Sequence, residues 1–137
     1  MILNNKEYVN ILFKEALKVR ENAYVPYSKF KVGAAILTEK GNIYTGCNVE
    51  NSSFGLTVCA ERNAVFKAVS NGEKNFRCMV VVADTKEPVS PCGACRQVVS
   101  EFGDFEIILS NLNGDFKYTS VKELLPYNFS EEHLNEK

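Results

Sequence analysis

The chain has 137 residues, 45% of them hydrophobic and 24% charged, which suits a single domain over residues 1–137 with a real core and leaves little room for a second. Sixteen lysines and arginines stand against seventeen aspartates and glutamates, a formal charge of -1. No basic field exists to hold nucleic acid or an acidic membrane surface, so a small-molecule partner is expected. No apolar run is long enough for a signal peptide or a membrane span, and a cytoplasmic location is expected.

In chain order, Tyr8, Ile11, Leu12, Ala16 and Val19 recur at spacings of three and four, predicting an amphipathic helix that ends before Pro26. Phe30, Val32, Ala34 and Ile36 alternate as in a strand, and residues 43–47 form a second, with Glu39-Lys40-Gly41-Asn42 as the hairpin turn. A helix should begin near Cys59, carry Ala60, Ala64, Val65, Ala68 and Val69 inward, and end at Asn71-Gly72. Residues 78–83 form an unbroken apolar run rich in valine, the pattern of a central strand covered on both faces. A helix over 92–102, strands over 106–109 and 116–119 around Asn113-Gly114, and one short last helix complete the order. That order implies a three-layer α/β/α sandwich with a mixed sheet of about five strands.

Five cysteines, an odd number without a secretory signal, favour metal binding over a disulfide framework. Cys47 and Cys78 lie in apolar, strand-like surroundings and read as small buried hydrophobes. Cys92 and Cys95 are three apart, roughly 300° around a helix, so both can face one metal. Cys59 and Glu61 are two apart and converge only in a helix's first turn, which puts the site between two helix N-termini. There the positive ends of both macrodipoles favour thiolates.

Three thiols, where a structural zinc takes four ligands, leave a coordination position for water, as in a hydrolytic site. Three thiolates on one divalent zinc carry one surplus negative charge, which weakens a Lewis acid. Arg62, three residues after Cys59 on the same helix face, can donate to the sulfurs and offset that charge. Glu61, not needed as a ligand, is placed to shuttle protons. A fourth ligand from Cys47, Cys78 or His133 would instead make a structural site, although His133 lies in a charged tail and reads as solvated.

These residues belong to a longer series of motifs: Pro26-Tyr27-Ser28-x-Phe30-x-Val32-Gly33-Ala34-Ala35, Gly46-Cys47-Asn48-Val49-Glu50-Asn51, Cys59-Ala60-Glu61-Arg62, Pro91-Cys92-Gly93-Ala94-Cys95-Arg96-Gln97 and Leu124-Leu125-Pro126-x-x-Phe129. In them the chain resembles the homotetrameric, three-cysteine class of the cytidine deaminase family over nearly its whole length. The resemblance implies one zinc per subunit on Cys59, Cys92 and Cys95, with Glu61 carrying protons while cytidine or deoxycytidine becomes uridine or deoxyuridine and ammonia leaves, a step of pyrimidine salvage. It also implies that Asn48 and Glu50 hold the ribose 3′-hydroxyl, that Phe30 packs beside the base, and that the main chain around Ser90 and Cys59 bonds to the base. Phe129 would reach from one subunit into another's site, which implies a homotetramer with shared active sites. Phe54 stands where the family commonly has a tyrosine whose hydroxyl approaches a neighbouring subunit's nucleoside, and that hydroxyl is missing here.

Without the family, Phe30 reads equally well as a core strand residue, Phe129 as an apolar anchor on its own domain, and Asn48 and Glu50 as polar residues at a strand end. Two other functions compete: deamination of a modified cytosine nucleoside or nucleoside antibiotic, and a non-catalytic, zinc-stabilised interaction module. The sugar-binding pair speaks against the first and Glu61 against the second. A polynucleotide substrate is disfavoured by the lack of any basic, aromatic-interleaved stretch.

Overall fold

In the computed structural model, which describes residues 7–135, five strands form one sheet: β1 (Val32–Thr38), β2 (Ile43–Cys47), β3 (Phe76–Ala83), β4 (Glu106–Asn111) and β5 (Phe116–Ser120). Their spatial order is β2-β1-β3-β4-β5. β1 is antiparallel to β2 and β3, β3 is parallel to β4, and β4 is antiparallel to β5. The valine-rich run is the middle strand, as its lack of polar alternation predicts.

Alternation along β1 and β3 divides the core into two layers. Ala35, Leu37, Cys78, Val80 and Val82 pack with Val9, Leu12 and Ala16 of α1 (Glu7–Arg20). Ala34, Ile36, Met79 and Val81 point to the other face, where α2 (Ala60–Ser70) contributes Ala60, Ala64, Val65 and Ala68, and α3 (Gly93–Ser100) contributes Val99. The sheet thus lies between helices on both faces, giving the expected three layers. Among the described residues no helix is long and apolar enough to cross a membrane.

Four features differ from the sequence reading. Val69, expected to turn inward from α2, is exposed on its outer face. β1 starts at Val32, so Phe30 lies outside the strand and is partly exposed. Lys29 just before it is left-handed (φ 62), and the Asn48 carboxamide, in place of ladder partners, bonds to the Phe30 carbonyl and the Val32 amide. The last helix is two short ones, α4 (Val121–Leu124) and α5 (Glu131–Asn135), separated by Pro126 and the left-handed Tyr127 (φ 56). A single 3-10 turn over Phe54–Leu56 was not anticipated.

Two glycines let the helices press onto the hairpin. A Cβ at Gly33 would collide with the Ala16 carbonyl of α1, and one at Gly46 would meet the Ala64 amide and lie 2.6 Å from the Ala60 carbonyl of α2. Because these obstacles are backbone atoms, no rotamer change relieves them. Gly46→Ala should therefore lower stability by about 2 kcal/mol, a fall in Tm on the order of 10 °C. A thermal melt matching wild type would contradict this close packing of α2.

Candidate active site

α2 and α3 begin side by side, and each is preceded by a cysteine in extended conformation. Cys59 (φ -71, ψ 158) caps α2 and Cys92 (φ -65, ψ 166) caps α3, where its sulfur accepts the Cys95 amide at 3.4 Å. Pro91 helps set the start of α3, because the residue before a proline is turned away from helical backbone. Arg96 fastens the same loop by donating from Nε to the Pro91 carbonyl at 2.9 Å.

The three sulfurs of Cys59, Cys92 and Cys95 lie within 4.8 Å of one another, and the Cys59–Cys92 separation is 3.7 Å. Zinc–sulfur bonds of about 2.3 Å in a tetrahedron require sulfurs roughly 3.8 Å apart. The donor set therefore fits zinc, with three protein ligands. Cys47, half-buried on β2, and Cys78, buried in the α1 layer of the core, stand outside the cluster. His133 Nδ1 instead accepts the Ser130 amide at 3.0 Å.

Arg62 donates from Nη2 to the Cys59 sulfur at 3.5 Å, the contact expected from its place on the helix. Hydrogen bonds from the Cys95 thiol and from Arg62 hold the Cys59 thiol well below its ordinary range, whereas Cys95, beside that sulfur and buried, is pushed up. Glu61, in the first turn of α2, is only 5% exposed. Burial above all, with the neighbouring Cys59 sulfur adding to it, pushes its carboxyl up to about 7.

Phe30, Asn48, Cys59, Glu61, Ser90 and Cys92 line one cavity of about 200 Å³, whose apolar walls include Val32, Val81, Ala83 and Val89. Glu50 and Phe54 line a neighbouring, more open cavity of about 470 Å³ with Tyr27 and Ser28, and Thr57 borders both. Phe30 is therefore cavity lining rather than core. Asn48 and Glu50 lie just beyond β2 in a segment where Val49 is bridged to Tyr24 and Val58. Their side chains turn to the same side, both bonding to the 27–32 loop.

Neither Phe54 nor Phe129 is packed inside the molecule. Phe54 is 71% exposed with its ring edge against Tyr27, and Phe129 is 58% exposed and stacked on His133. Phe129 borders neither cavity; α3 holds it through its carbonyl, which accepts from Gln97 Nε2 at 3.0 Å. Thr57, Val89 and Ser28 were not singled out from sequence. Only Ser28 carried a signal, its place inside the first motif.

The family model for the cytidine and deoxycytidylate deaminase zinc-binding region matches residues 6–111, a span that includes the three cysteines and Glu61. A cytidine deaminase of Sporosarcina psychrophila is 58% identical over 129 residues, covering 93% of this chain and 95% of that protein. One from Halalkalibacterium halodurans is 53% identical over 128 residues, 92% and 97% of the two chains. The crystal structure of cytidine deaminase from Burkholderia pseudomallei superposes with a TM-score of 0.85 at 48% identity, covering 88% of this chain and 98% of that one. A three-thiol cluster at two helix N-termini beside a buried glutamate is thus set in a chain that belongs to the cytidine and deoxycytidylate deaminase family.

Proposed function

We propose that this protein is a zinc-dependent cytidine deaminase, converting cytidine and deoxycytidine to uridine and deoxyuridine with release of ammonia. The observation that carries this reading is the placement of Glu61 on one small cavity with largely apolar walls together with Cys59 and Cys92 of the three-sulfur cluster. Cys59, Cys92 and Cys95 hold the zinc, which when bound supplies a Lewis acid that acidifies water at neutral pH. Arg62 offsets the surplus thiolate charge.

The chain's own residues then divide the work. Phe30, Val81 and Val89 wall the base from bulk water, and the main chain near Ser90 and Cys59 bonds to its polar edge. Glu61 takes a proton from the attacking water and delivers it to ring nitrogen 3 as oxygen adds at ring carbon 4. It passes the next proton to the amino group, the carbon–nitrogen bond breaks, the ring carbonyl forms and ammonia departs. Asn48 and Glu50 hold the sugar 3′-hydroxyl, a carboxamide and a carboxylate together offering donor and acceptors.

The working unit is a homotetramer in the cytoplasm, serving pyrimidine salvage, with the whole chain as one domain. The support for shared sites is that Phe54 and Phe129, both large and apolar, project outward instead of packing on their own chain. A reducing compartment also suits a site made of thiols.

Glu61→Gln should lower kcat by about 10³-fold or more while zinc content stays at the wild-type level, measured by loss of cytidine absorbance and metal analysis. Substantial residual turnover would remove Glu61 from this role, and a zinc-loaded wild type without turnover would favour the interaction module. Chelation should abolish activity and lower Tm, both restored by added zinc, because the metal binds only the folded chain. Size-exclusion chromatography should show a tetramer of the 15.3 kDa chain. Phe129→Ala should then raise KM for cytidine about five- to tenfold; a fully active monomer would refute the shared site.

A further inference from the structure

The 27–30 loop connects the two cavities in a way that the roles of Asn48, Glu50 and Phe30, taken singly, do not explain. Ser28 has one hydroxyl proton and it is given to Glu50 Oε2. The Ser28 hydroxyl oxygen in turn accepts the Phe30 amide at 3.0 Å. Glu50 Oε1 is fixed from the same side by the Tyr27 and Ser28 amides, at 3.0 and 3.2 Å. Asn48 closes the arrangement from the other end, donating to the Phe30 carbonyl at 2.8 Å and accepting the Val32 amide at 2.9 Å.

Between Ser28 and Phe30 the chain passes through left-handed Lys29 (φ 62), whose amide donates to the Val25 carbonyl at 3.0 Å. A lysine in that conformation is held there by its neighbours rather than by its own preference. The bond from the Phe30 amide to the Ser28 hydroxyl spans this residue, so the direction in which Phe30 enters the cavity depends on that hydroxyl. The Glu50 carboxyl is kept below its ordinary range chiefly by the Ser28 hydroxyl, consistent with a persistently charged acceptor.

We propose that Ser28 is a positioning residue whose hydroxyl, donating to Glu50 and accepting from the Phe30 amide, locks the sugar-side carboxylate to the base-side wall. The proposal rests on the deaminase reading and adds to it a residue that touches neither the metal nor the reacting carbon. Without the hydroxyl, Glu50 loses its one side-chain donor, the Phe30 amide loses its acceptor, and the distance between sugar and base contacts is no longer set. A nucleoside that uses both contacts should suffer most.

The test compares Ser28→Ala and Ser28→Thr in the full-length, zinc-loaded protein, using cytidine and 2′,3′-dideoxycytidine, which offers no 3′-hydroxyl. Ser28→Ala should raise KM for cytidine about tenfold with kcat within about twofold, while KM for the dideoxynucleoside rises less than about threefold. Ser28→Thr, which keeps the hydroxyl, should stay within about threefold of wild type on both. Calorimetric binding of uridine and 2′,3′-dideoxyuridine should show the same difference without turnover. Equal losses for both nucleosides, a fall in kcat at constant KM, or no rescue by threonine would overturn the role of Ser28. A wild-type protein that binds uridine without deaminating cytidine would overturn the proposed reaction instead, and the binding comparison would still judge Ser28.

Discussion

Three sulfurs have to be gathered within 4.8 Å to hold one metal ion, and the two helix N-termini meet that demand. A cysteine at an N-cap is extended, so its sulfur projects past the end of the helix toward the neighbouring one, and it sits at the positive end of the macrodipole. Cys92 shows the effect in a single contact, since its sulfur takes the Cys95 amide that a serine or aspartate cap would otherwise take. The rest follows from bringing α2 and α3 together there. Small residues on α2 and the missing side chain at Gly46 let that helix sit low on the sheet, and Asn63 fastens it by donating to the Cys47 carbonyl at 2.8 Å.

The residues after Cys95 extend this control to the end of the chain. Arg96 bonds at once to the Pro91 carbonyl before the ligands and, at 2.8 Å, to the Leu124 carbonyl, while Gln97 bonds to the Phe129 carbonyl. One turn of α3 therefore sets the loop bearing Cys92 and the backbone bearing Phe129. A guanidinium suits this task, because its planar fork can serve two carbonyls from different segments. The fourth and fifth sequence motifs, distant along the chain, are in this sense one structural unit.

Much of this was legible in the sequence for local reasons. Ligand spacing places side chains on a helix face, a valine-rich run marks a strand covered on both sides, and a glutamate two residues from a cysteine fits only a helix's first turn. The family motifs supplied the residues proposed to hold sugar and base, which spacing alone did not distinguish from ordinary strand-end residues. What escaped depended on contacts between segments. Phe30 continues the alternation of Val32, Ala34 and Ile36, yet the Asn48 side chain and left-handed Lys29 end the strand before it. The break at Tyr127 likewise comes from a backbone conformation that tyrosine does not signal.

In the proposed function, the two carboxylates of the site divide the labour by their position on the scaffold. Glu61 sits in the first turn of α2, enclosed by the core and 5% exposed, so its charged form lacks solvation and the carboxyl can carry a proton. Glu50 lies past the end of β2, half-buried, with three donors from Tyr27 and Ser28 on its oxygens, so its charged form is the one supported. Exchange of protons with a substrate requires the first environment, and a constant acceptor for a sugar hydroxyl requires the second. Both residues are glutamates, so the distinction cannot come from the side chain. It comes from the secondary-structure end each occupies: a helix start turned into the cavity, and a strand end laid against a turn that offers its amides and a serine hydroxyl.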